Sequence, residues 1–291
     1  MSVLVPGRST VPASPFSAPV ASRSIDLAGE IAQRPGSSCL VGDVPVQPTT
    51  MDGLVDLVVG MARTARVDVL VGVNAHVVNL ARRDEGLRRF LASTTLNYAD
   101  GQSIVWAAKL LGQRIPQRVA TTDLASPLLA AAARNGLPVY FFGGRPGVAQ
   151  AAADRIAERT PDIDIRTRHG YVGEGESESV IDDIRAHGTR ILLVGLGDPL
   201  QERWIEDHRD VLPPVVLTCG GLFDWLSGSH RRAPGWMIRS GLEWLWRLLI
   251  EPRRLAHRYL VGNPAFVRAV LRQRRAVRGA ERAASTRSRI A

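Results

Sequence analysis

The sequence predicts an α/β fold in which a largely parallel sheet carries helices on both faces and is followed by a C-terminal helical appendage. Short runs rich in β-branched residues alternate with longer amphipathic runs from Leu40 onward. Several of the short runs end in glycine-bearing turns, as strands do where they lead into helices. After Cys219 the short runs stop and helical patterns follow. Together these observations indicate a Rossmann-like sheet with an appended helical region.

The predicted strands and helices alternate along most of the chain. The β-branched runs predict strands at 40–46, 68–73, 95–98, 138–142, 163–168, 190–195 and 215–219. The amphipathic runs between them predict helices at 51–65, 123–135, 147–159 and 199–210. Another helix is expected directly after Asp100. Within 234–275 we expect two or three helices, punctuated by Pro252 and Pro264.

Composition divides the chain into four segments. Residues 1–38 are rich in Ser, Pro and Ala and lack a contiguous apolar core, which predicts a flexible leader that is not a secretory signal. Residues 39–229 are expected to form the main α/β domain, 230–275 an arginine-rich helical appendage and 276–291 a disordered basic tail. No apolar run approaches the ~20 residues that a spanning helix needs, so we expect no membrane crossing.

The positive charge is concentrated at the C-terminal end. The chain carries a net charge of +9, and residues 230–291 hold 15 arginines against three glutamates. Trp236, Trp244, Trp246 and Tyr259 are interleaved with those arginines, a mixture that suits an anionic surface with an apolar layer beneath it. A basic tail could also bind nucleic acid without sequence specificity. The aromatic residues favour a bilayer over a duplex, so we expect no nucleic-acid partner.

The sequence offers little support for metal or thiol chemistry. Cys39 and Cys219 lie far apart without metal-ligand spacing, which is typical of two buried small side chains in a reducing cytoplasm. The six histidines are scattered, and Asp162-Ile163-Asp164 enters a predicted strand instead of a glycine turn. No Gly-x-Ser-x-Gly elbow occurs. We therefore expect neither a catalytic metal nor a cofactor.

Three predicted strand ends lead into glycine turns, at 142–147, 194–199 and 219–221. Glycine lets the backbone approach a ligand closely, and the amides at the start of the next helix attract phosphate. A nucleoside diphosphate would fit, although such turns are also ordinary loop geometry. A dinucleotide fingerprint does not fit, because its third glycine would fall on Leu200 and the next strand ends without an acidic residue.

Two polar residues follow predicted strands at the same edge of the sheet. Asp100 could accept a proton from an attacking sugar hydroxyl, or it could cap the helix that follows. Asn74 could hold a base, a ribose or a sugar through its amide, or it could be a helix cap, which is the more frequent role of a lone Asn. The residues alone leave both alternatives open.

A series of motifs follows in order along the chain: Val73-Asn74-Ala75, Tyr98-Ala99-Asp100-Gly101, Arg118-Val119 with Thr122-Asp123-Leu124, Phe142-Gly143-Gly144-Arg145-Pro146, Gly195-Leu196-Gly197-Asp198-Pro199 with Gln201-Glu202, Gly220-Gly221-Leu222-Phe223-Asp224, Arg231-Arg232-Ala233-Pro234, Gly241-Leu242-Glu243-Trp244-Leu245 and Glu251-Pro252-Arg253-Arg254. In this order, over roughly 41–264, the motifs resemble the WecG/TagA/CpsF family of bacterial glycosyltransferases.

The resemblance implies an inverting, metal-independent hexosyltransferase of cell-wall or exopolysaccharide synthesis. It would move a sugar, N-acetylmannosamine as first choice and glucose or a uronic acid as alternatives, from UDP to a saccharide on a polyprenyl diphosphate lipid. The enzyme would be cytoplasmic and peripheral at the anionic inner face of the cell membrane. Self-association as a homo-oligomer is a further expectation from the resemblance.

The resemblance also implies roles for particular residues. Asp100 becomes the general base, and Arg247 and Arg254 would lie near the diphosphate, where guanidinium groups offset leaving-group charge. Substrate binding would fall to a larger set of residues: Asn74, Thr122, Asp123, Gly143, Gly144, Gly195, Gly197, Gln201, Glu202, Gly220 and Gly221.

Four positions depart from the family pattern. Gly72 stands where the family often has Thr, Thr121 where it often has Gly, and Leu200 where it often has Lys. A third family arginine falls on His257 here, and Arg258 beside it could substitute.

Overall fold

The computed structural model describes residues 38–173, 175–229 and 233–290, with the side chains of Arg254 and of 280–290 left out. Nearly all of the predicted leader, 1–38, lies outside the described residues. Within them, an antiparallel hairpin of β1 (Cys39–Val41) and β2 (Val44–Val46) precedes the main sheet. The single predicted strand at 40–46 is therefore wrong. Gly42 (φ 58°) and Asp43 (φ 68°) both adopt positive φ, which forms the tight turn that divides it.

The main sheet has six strands, and every neighbouring pair is parallel, as the sequence predicts. The strand order is β4-β3-β8-β7-β5-β6. Their ranges are β3 Asp68–Val73, β4 Leu96–Ala99, β5 Val139–Gly143, β6 Ile165–Arg168, β7 Ile191–Gly195 and β8 Val215–Thr218. Because all six strands point the same way, their carboxyl ends form one edge, where α/β folds bind ligands.

Helices cover both faces of this sheet, because successive strand residues point to opposite sides. One face buries the helices α1 (Met51–Met61), α5 (Thr121–Arg134), α6 (Val148–Ala157) and α9 (Leu222–Leu226). The other buries α2 (Ala75–Ala81), α3 (Glu85–Ser93), α4 (Gln102–Leu110), α7 (Ser177–Ala186) and α8 (Leu200–His208). A 3₁₀ turn, Arg209–Val211, follows α8. The helices predicted within the sheet domain are present, whereas α2, α3, α7 and α9 are additions to the prediction.

The C-terminal region consists of α10 (Gly235–Arg239), α11 (Glu243–Ile250), α12 (Pro252–Ala256), a π-helical turn (His257–Val261) and α13 (Gly262–Ile290). Pro264 does not interrupt α13, although the helix continues directly from the π-helical turn and Pro264 is only its third residue. The structure also differs from the disordered tail predicted for 276–291, since α13 continues to Ile290. This segment is rich in Ala and Arg, both strong helix formers.

The start of α13 is attached to the sheet domain by packing and hydrogen bonds. Phe266 and Val270 are buried in the same core as α2, α3 and α4. Asn79 of α2 donates to the carbonyl of Gly262 at 2.7 Å. Gln273 bonds the first strand and the turn of the hairpin, accepting from the Gly42 amide and donating to the Leu40 carbonyl, each at 2.9 Å. Appendage and sheet domain therefore share one packed interface.

Among the helices that the structure describes, none is both long and apolar enough to span a membrane.

Candidate active site

Asp100 directly follows β4 at the carboxyl edge of the sheet. Its carboxylate bonds the start of α5 and not the helix α4 that follows it in the chain. Its Oδ1 accepts from the backbone N–H and the hydroxyl of Thr121, at 2.8 and 2.9 Å. The helix that follows, α4, has Gly101 at its N-cap and no side-chain cap. Asp100 is therefore not the cap of α4. Among the described residues, its second oxygen, Oδ2, accepts a hydrogen bond from the Asn74 amide at 3.5 Å, and Asp100 lines a cavity beyond the strand ends.

Asn74 is both a helix cap and a neighbour of Asp100. Its Oδ1 accepts from the amides of His76 and Val77 at 3.0 and 3.3 Å, which caps α2. The same oxygen receives the Arg258 guanidinium at 3.4 Å, and the amide nitrogen points toward Asp100. The two interpretations that the sequence left open for Asn74 are thus compatible.

Two of the departures from the family pattern, Gly72 and Thr121, lie side by side beneath Asp100. A Cβ placed on Gly72 would come within 2.9 Å of the Thr121 hydroxyl and 3.2 Å of the Asp100 Cβ. That hydroxyl also bonds the buried Tyr98 hydroxyl at 2.9 Å. The Thr121 side chain, which comes from α5, therefore occupies the space that a side chain at position 72 of β3 would need. It also holds Asp100 in place through its two hydrogen bonds.

A cavity of about 380 Å³ opens beside Asp100, between the sheet edge and the C-terminal helices. Its polar end includes Asn74, His76, Asp100, Arg247 and Arg258. The other lining residues come from the start of α2, from α4, α11 and the start of α13, from the π-helical turn and from the loops before α4, α5 and α11: Ala75, Gly101, Gln102, Ser103, Trp106, Ala107, Leu110, Arg118, Ala120, Gly241, Glu243, Trp244, Tyr259, Asn263, Phe266, Val267 and Val270. The site thus combines residues that are far apart in the chain.

Arg247 reaches the cavity from α11 and is held by a chain of ion pairs. Its guanidinium bonds Glu243 at 3.3 Å, and Glu243 bonds Arg118 at 3.1 Å. Arg118 in turn bonds Asp123 at 3.2 Å. The guanidinium of Arg247 also lies 5.0 Å from the ring centre of Trp225, a cation–π distance. Glu243 is buried, so this network joins the appendage to the sheet domain.

Arg258, and not His257, faces the site. Arg258 lines the cavity and bonds Asn74, whereas His257 is exposed on the surface. Burial, together with the positive charge of Arg258, lowers the pKa of His76 to about 4, so its imidazole is neutral at physiological pH. Arg254 belongs to α12, and its side chain lies outside what the structure describes.

The glycine turns meet each other at the neighbouring strand ends. The Gly144 amide donates to the Gly195 carbonyl at 3.1 Å, and a Cβ on Gly195 would lie 2.7 Å from the Gly220 carbonyl oxygen. The turns can therefore contact each other only because Gly195 has no side chain. Gly143 lacks a side chain for the same reason, since a Cβ there would collide with the backbone of Gly195. Gly197 and Gly220, both at positive φ, instead border open space.

Gln201 and Glu202 support these turns from below. Gln201 accepts from the Gly220 amide at 3.1 Å and donates to Asp198 at 2.7 Å and Glu202 at 2.9 Å. Both residues are buried, and Glu202 Oε2 has no hydrogen-bond partner among the described residues. Burial and the charge of Asp198 raise the pKa of Glu202 to about 8. Burial also raises the pKa of Asp198, against the opposing effect of Arg258.

The structure thus brings together some of the predicted site residues and separates others from them. Asn74, Asp100 and Arg247 line one cavity. Within the described part of the chain, Thr122, Asp123, the glycine turns and Gln201-Glu202 lie outside its wall, and Thr122 Oγ1 is buried without a partner there. A Cβ on Gly221 would lie 3.6 Å from the Asp224 carboxylate.

Sequence reasoning did not assign site roles to His76, Arg118, Asp198 and Glu243. Each of these four residues adjoins or belongs to a motif of the family resemblance. Their hydrogen-bond and ion-pair partners, however, cannot be recognised from spacing along the sequence.

No group of three or more His, Cys, Asp or Glu residues is placed to hold a metal ion in residues 38–173, 175–229 and 233–290. A family model described as "Glycosyl transferase WecG/TagA/CpsF family" matches residues 39–280, from the hairpin into α13.

Proposed function

The chain belongs to the WecG/TagA/CpsF family of glycosyltransferases. We propose that it moves N-acetylmannosamine from UDP to a saccharide on polyprenyl diphosphate, with inversion of configuration at the anomeric carbon. The alternatives within the family are glucose and a uronic acid. The proposal includes metal independence, which agrees with the poor metal-ligand spacing in the sequence.

The observation that carries this proposal is the arrangement around Asp100. One carboxylate oxygen is held by Thr121, and the other faces a cavity that also receives Arg247 and Arg258. An inverting transfer needs a proton acceptor near the attacking hydroxyl and positive charge near the departing diphosphate. The cavity offers both, with Asp100 as the base and the two arginines as the cations.

The donor would lie over the ends of β7 and β8. Gly197 and Gly220 border open space there, so a phosphate could approach the backbone amides of their turns. Gln201 fixes the Gly220 turn from below, which keeps those amides in place. In this arrangement Gln201 and Glu202 support the UDP pocket without contacting UDP.

The appendage would hold the enzyme at the cytoplasmic face of the membrane. Trp236, Leu249 and Leu260 expose 57%, 66% and 64% of their surface, and they lie among the arginines of the C-terminal region. Each arginine near an anionic bilayer contributes ~1 kcal/mol, an attraction that salt screens. We expect binding to anionic vesicles in preference to duplex DNA, weakening as salt rises, in a sedimentation assay. Preference for DNA would favour the nucleic-acid alternative.

A donor screen tests the proposed reaction. Purified protein is mixed with a panel of UDP-sugars and a saccharide diphosphate carrying a short prenyl chain, and UDP release is measured with and without acceptor. We expect acceptor-dependent release with UDP-N-acetylmannosamine, and NMR of the product should show an inverted anomeric centre. Release with UDP-glucose or a UDP-uronic acid alone would reassign the donor, and no release with any UDP-sugar would contradict the proposal.

A further inference from the structure

Two helices face each other across the cavity with the same pattern of residues. From α4 the wall takes Ser103, Trp106, Ala107 and Leu110, and from α13 it takes Asn263, Phe266, Val267 and Val270. In each helix the positions follow i, i+3, i+4 and i+7, which is one continuous stripe. Each stripe begins with a polar residue and continues with apolar ones. The cavity therefore has two matching apolar walls.

Both stripes run in the same direction, away from Asp100 and toward the β1–β2 hairpin. Just beyond α4, the carbonyl of Arg114 lies 3.9 Å from the Cys39 sulfur of the hairpin. On α13, Gln273 bonds Gly42 and Leu40 of the same hairpin. The cavity is therefore a slot whose polar end lies at the sheet edge. Each stripe spans seven residue steps of helix, about 10 Å, and its apolar positions span four of these steps, about 6 Å.

The floor of the slot is closed, whereas its rim is open. Phe266 and Val270 are only 4% and 3% exposed and belong to the core. Trp106 and Val267, which line the same slot, are 54% and 52% exposed. Large apolar side chains that are left exposed around a cavity mark a surface that is covered by a ligand.

Polarity changes along the slot from charged to apolar. Arg258 is joined to Asp100 through Asn74, and Arg247 lines the same cavity, whereas the stripes of α4 and α13 contribute Trp106, Leu110 and two valines. A molecule that is anionic at one end and a hydrocarbon at the other matches this gradient.

We propose that the slot between α4 and α13 binds the first isoprene units of the acceptor lipid, with Trp106 and Val267 as the residues that contact its chain. The proposal rests on the proposed function, which supplies an acceptor on polyprenyl diphosphate. The slot is long enough for the start of the chain only, so the remainder would continue past the open rim into the bilayer. The slot would thereby select a prenyl acceptor and orient its saccharide toward Asp100.

Two acceptors and two matched variants test this assignment. The acceptors share one saccharide diphosphate and carry either a short prenyl chain or a methyl group, each soluble without detergent. Burial of a few carbon atoms should lower the KM of the wild-type protein for the prenyl acceptor at least about tenfold. Val267→Asp places a charge on the rim at an exposed position, so the fold is retained. Val277→Asp makes the same change at another exposed valine of α13, ten residues away and outside the slot.

We expect Val267→Asp to raise the KM for the prenyl acceptor to that for the methyl acceptor, with the KM for the donor unchanged. Val277→Asp should keep the difference that the wild type shows between the KM for the prenyl acceptor and the KM for the methyl acceptor. Equal KM values of the wild type for the two acceptors, or equal behaviour of the two variants, would overturn the slot and leave the transferase proposal intact. No UDP release by the wild type with either acceptor would overturn both.

A binding measurement gives a readout that does not need turnover. In calorimetric titrations, the wild type should bind farnesyl diphosphate at least about tenfold more tightly than inorganic diphosphate. Trp106→Ala should remove most of that difference without weakening inorganic diphosphate. Equal affinities of the wild type for the two probes would contradict an apolar subsite.

Discussion

Glu243 should be the residue that holds Arg247 in place and joins the appendage to the sheet domain. Its two carboxylate oxygens bond Arg247 and Arg118 at 3.3 and 3.1 Å, and the residue is 7% exposed. In Glu243→Ala both guanidinium groups lose this partner. Removing one member of a buried ion pair typically costs about 3–5 kcal/mol of folding free energy. Arg118 keeps Asp123, and Arg247 is partly solvated, so we expect a loss near the lower end, about 3 kcal/mol.

Activity should fall as well, because Arg247 would no longer be fixed beside the cavity. A displacement of about 1 Å in a positioned group can cost about 100-fold in rate, and we expect a loss of up to that size in acceptor-dependent UDP release. Glu243→Gln keeps an acceptor oxygen for one arginine and should lie between the wild type and Glu243→Ala.

Urea unfolding and UDP release measure these two effects on the same protein samples. The matched control is Glu206→Ala on α8, which removes the ion pair between the exposed Glu206 carboxylate and the partly exposed Arg209 at 3.5 Å. Exposed pairs contribute about 0–1 kcal/mol, so the control should retain its stability and turnover. If Glu243→Ala loses no more than Glu206→Ala in either measurement, the buried network neither stabilises the fold nor positions Arg247.

Three other predictions concern the site. Arg258→Ala should lower turnover at least about tenfold because a cation is lost from the cavity, whereas His257→Ala should change it little, and equal losses would place the third cation elsewhere. Thr121→Gly should lower turnover about tenfold by removing a hydrogen bond to a charged group. Adding Gly72→Thr should restore most of that turnover, because its hydroxyl would come from β3 instead of α5. A double variant no more active than Thr121→Gly would refute this replacement. Turnover should persist in excess EDTA, and loss with rescue by Mn²⁺ or Mg²⁺ would reveal a metal site.

The sequence predicts the sheet well where a strand is a buried run between clear breaks. The prediction for 68–73 matches β3, because its residues are almost all buried between a polar turn and Asn74. Helices α2 and α3 were not predicted because each is short and depends on its cap, Asn74 or Asp84, more than on a long amphipathic pattern. The hairpin was missed because its turn depends on positive φ at Gly42 and Asp43.

The site is less predictable than the sheet because its contacts span the whole chain. Arg258 bonds Asn74 across 184 positions, and Arg118 bonds Glu243 across 125. Spacing along the sequence carries no information about such pairs. The sequence also does not distinguish the two roles of glycine in the turns. Gly195 allows two turns to contact each other, whereas Gly197 borders open space.

Asp100→Asn tests the central claim most directly. An asparagine keeps an acceptor oxygen for the Thr121 amide and hydroxyl, so the start of α5 and the stability to urea should be unchanged. The amide cannot take a proton from the attacking hydroxyl, and losing general-base help typically lowers the rate by ~10²–10⁴-fold. We therefore predict a folded protein whose acceptor-dependent UDP release falls by that factor. A folded Asp100→Asn protein with near-normal UDP release would contradict the assignment of Asp100 as the base.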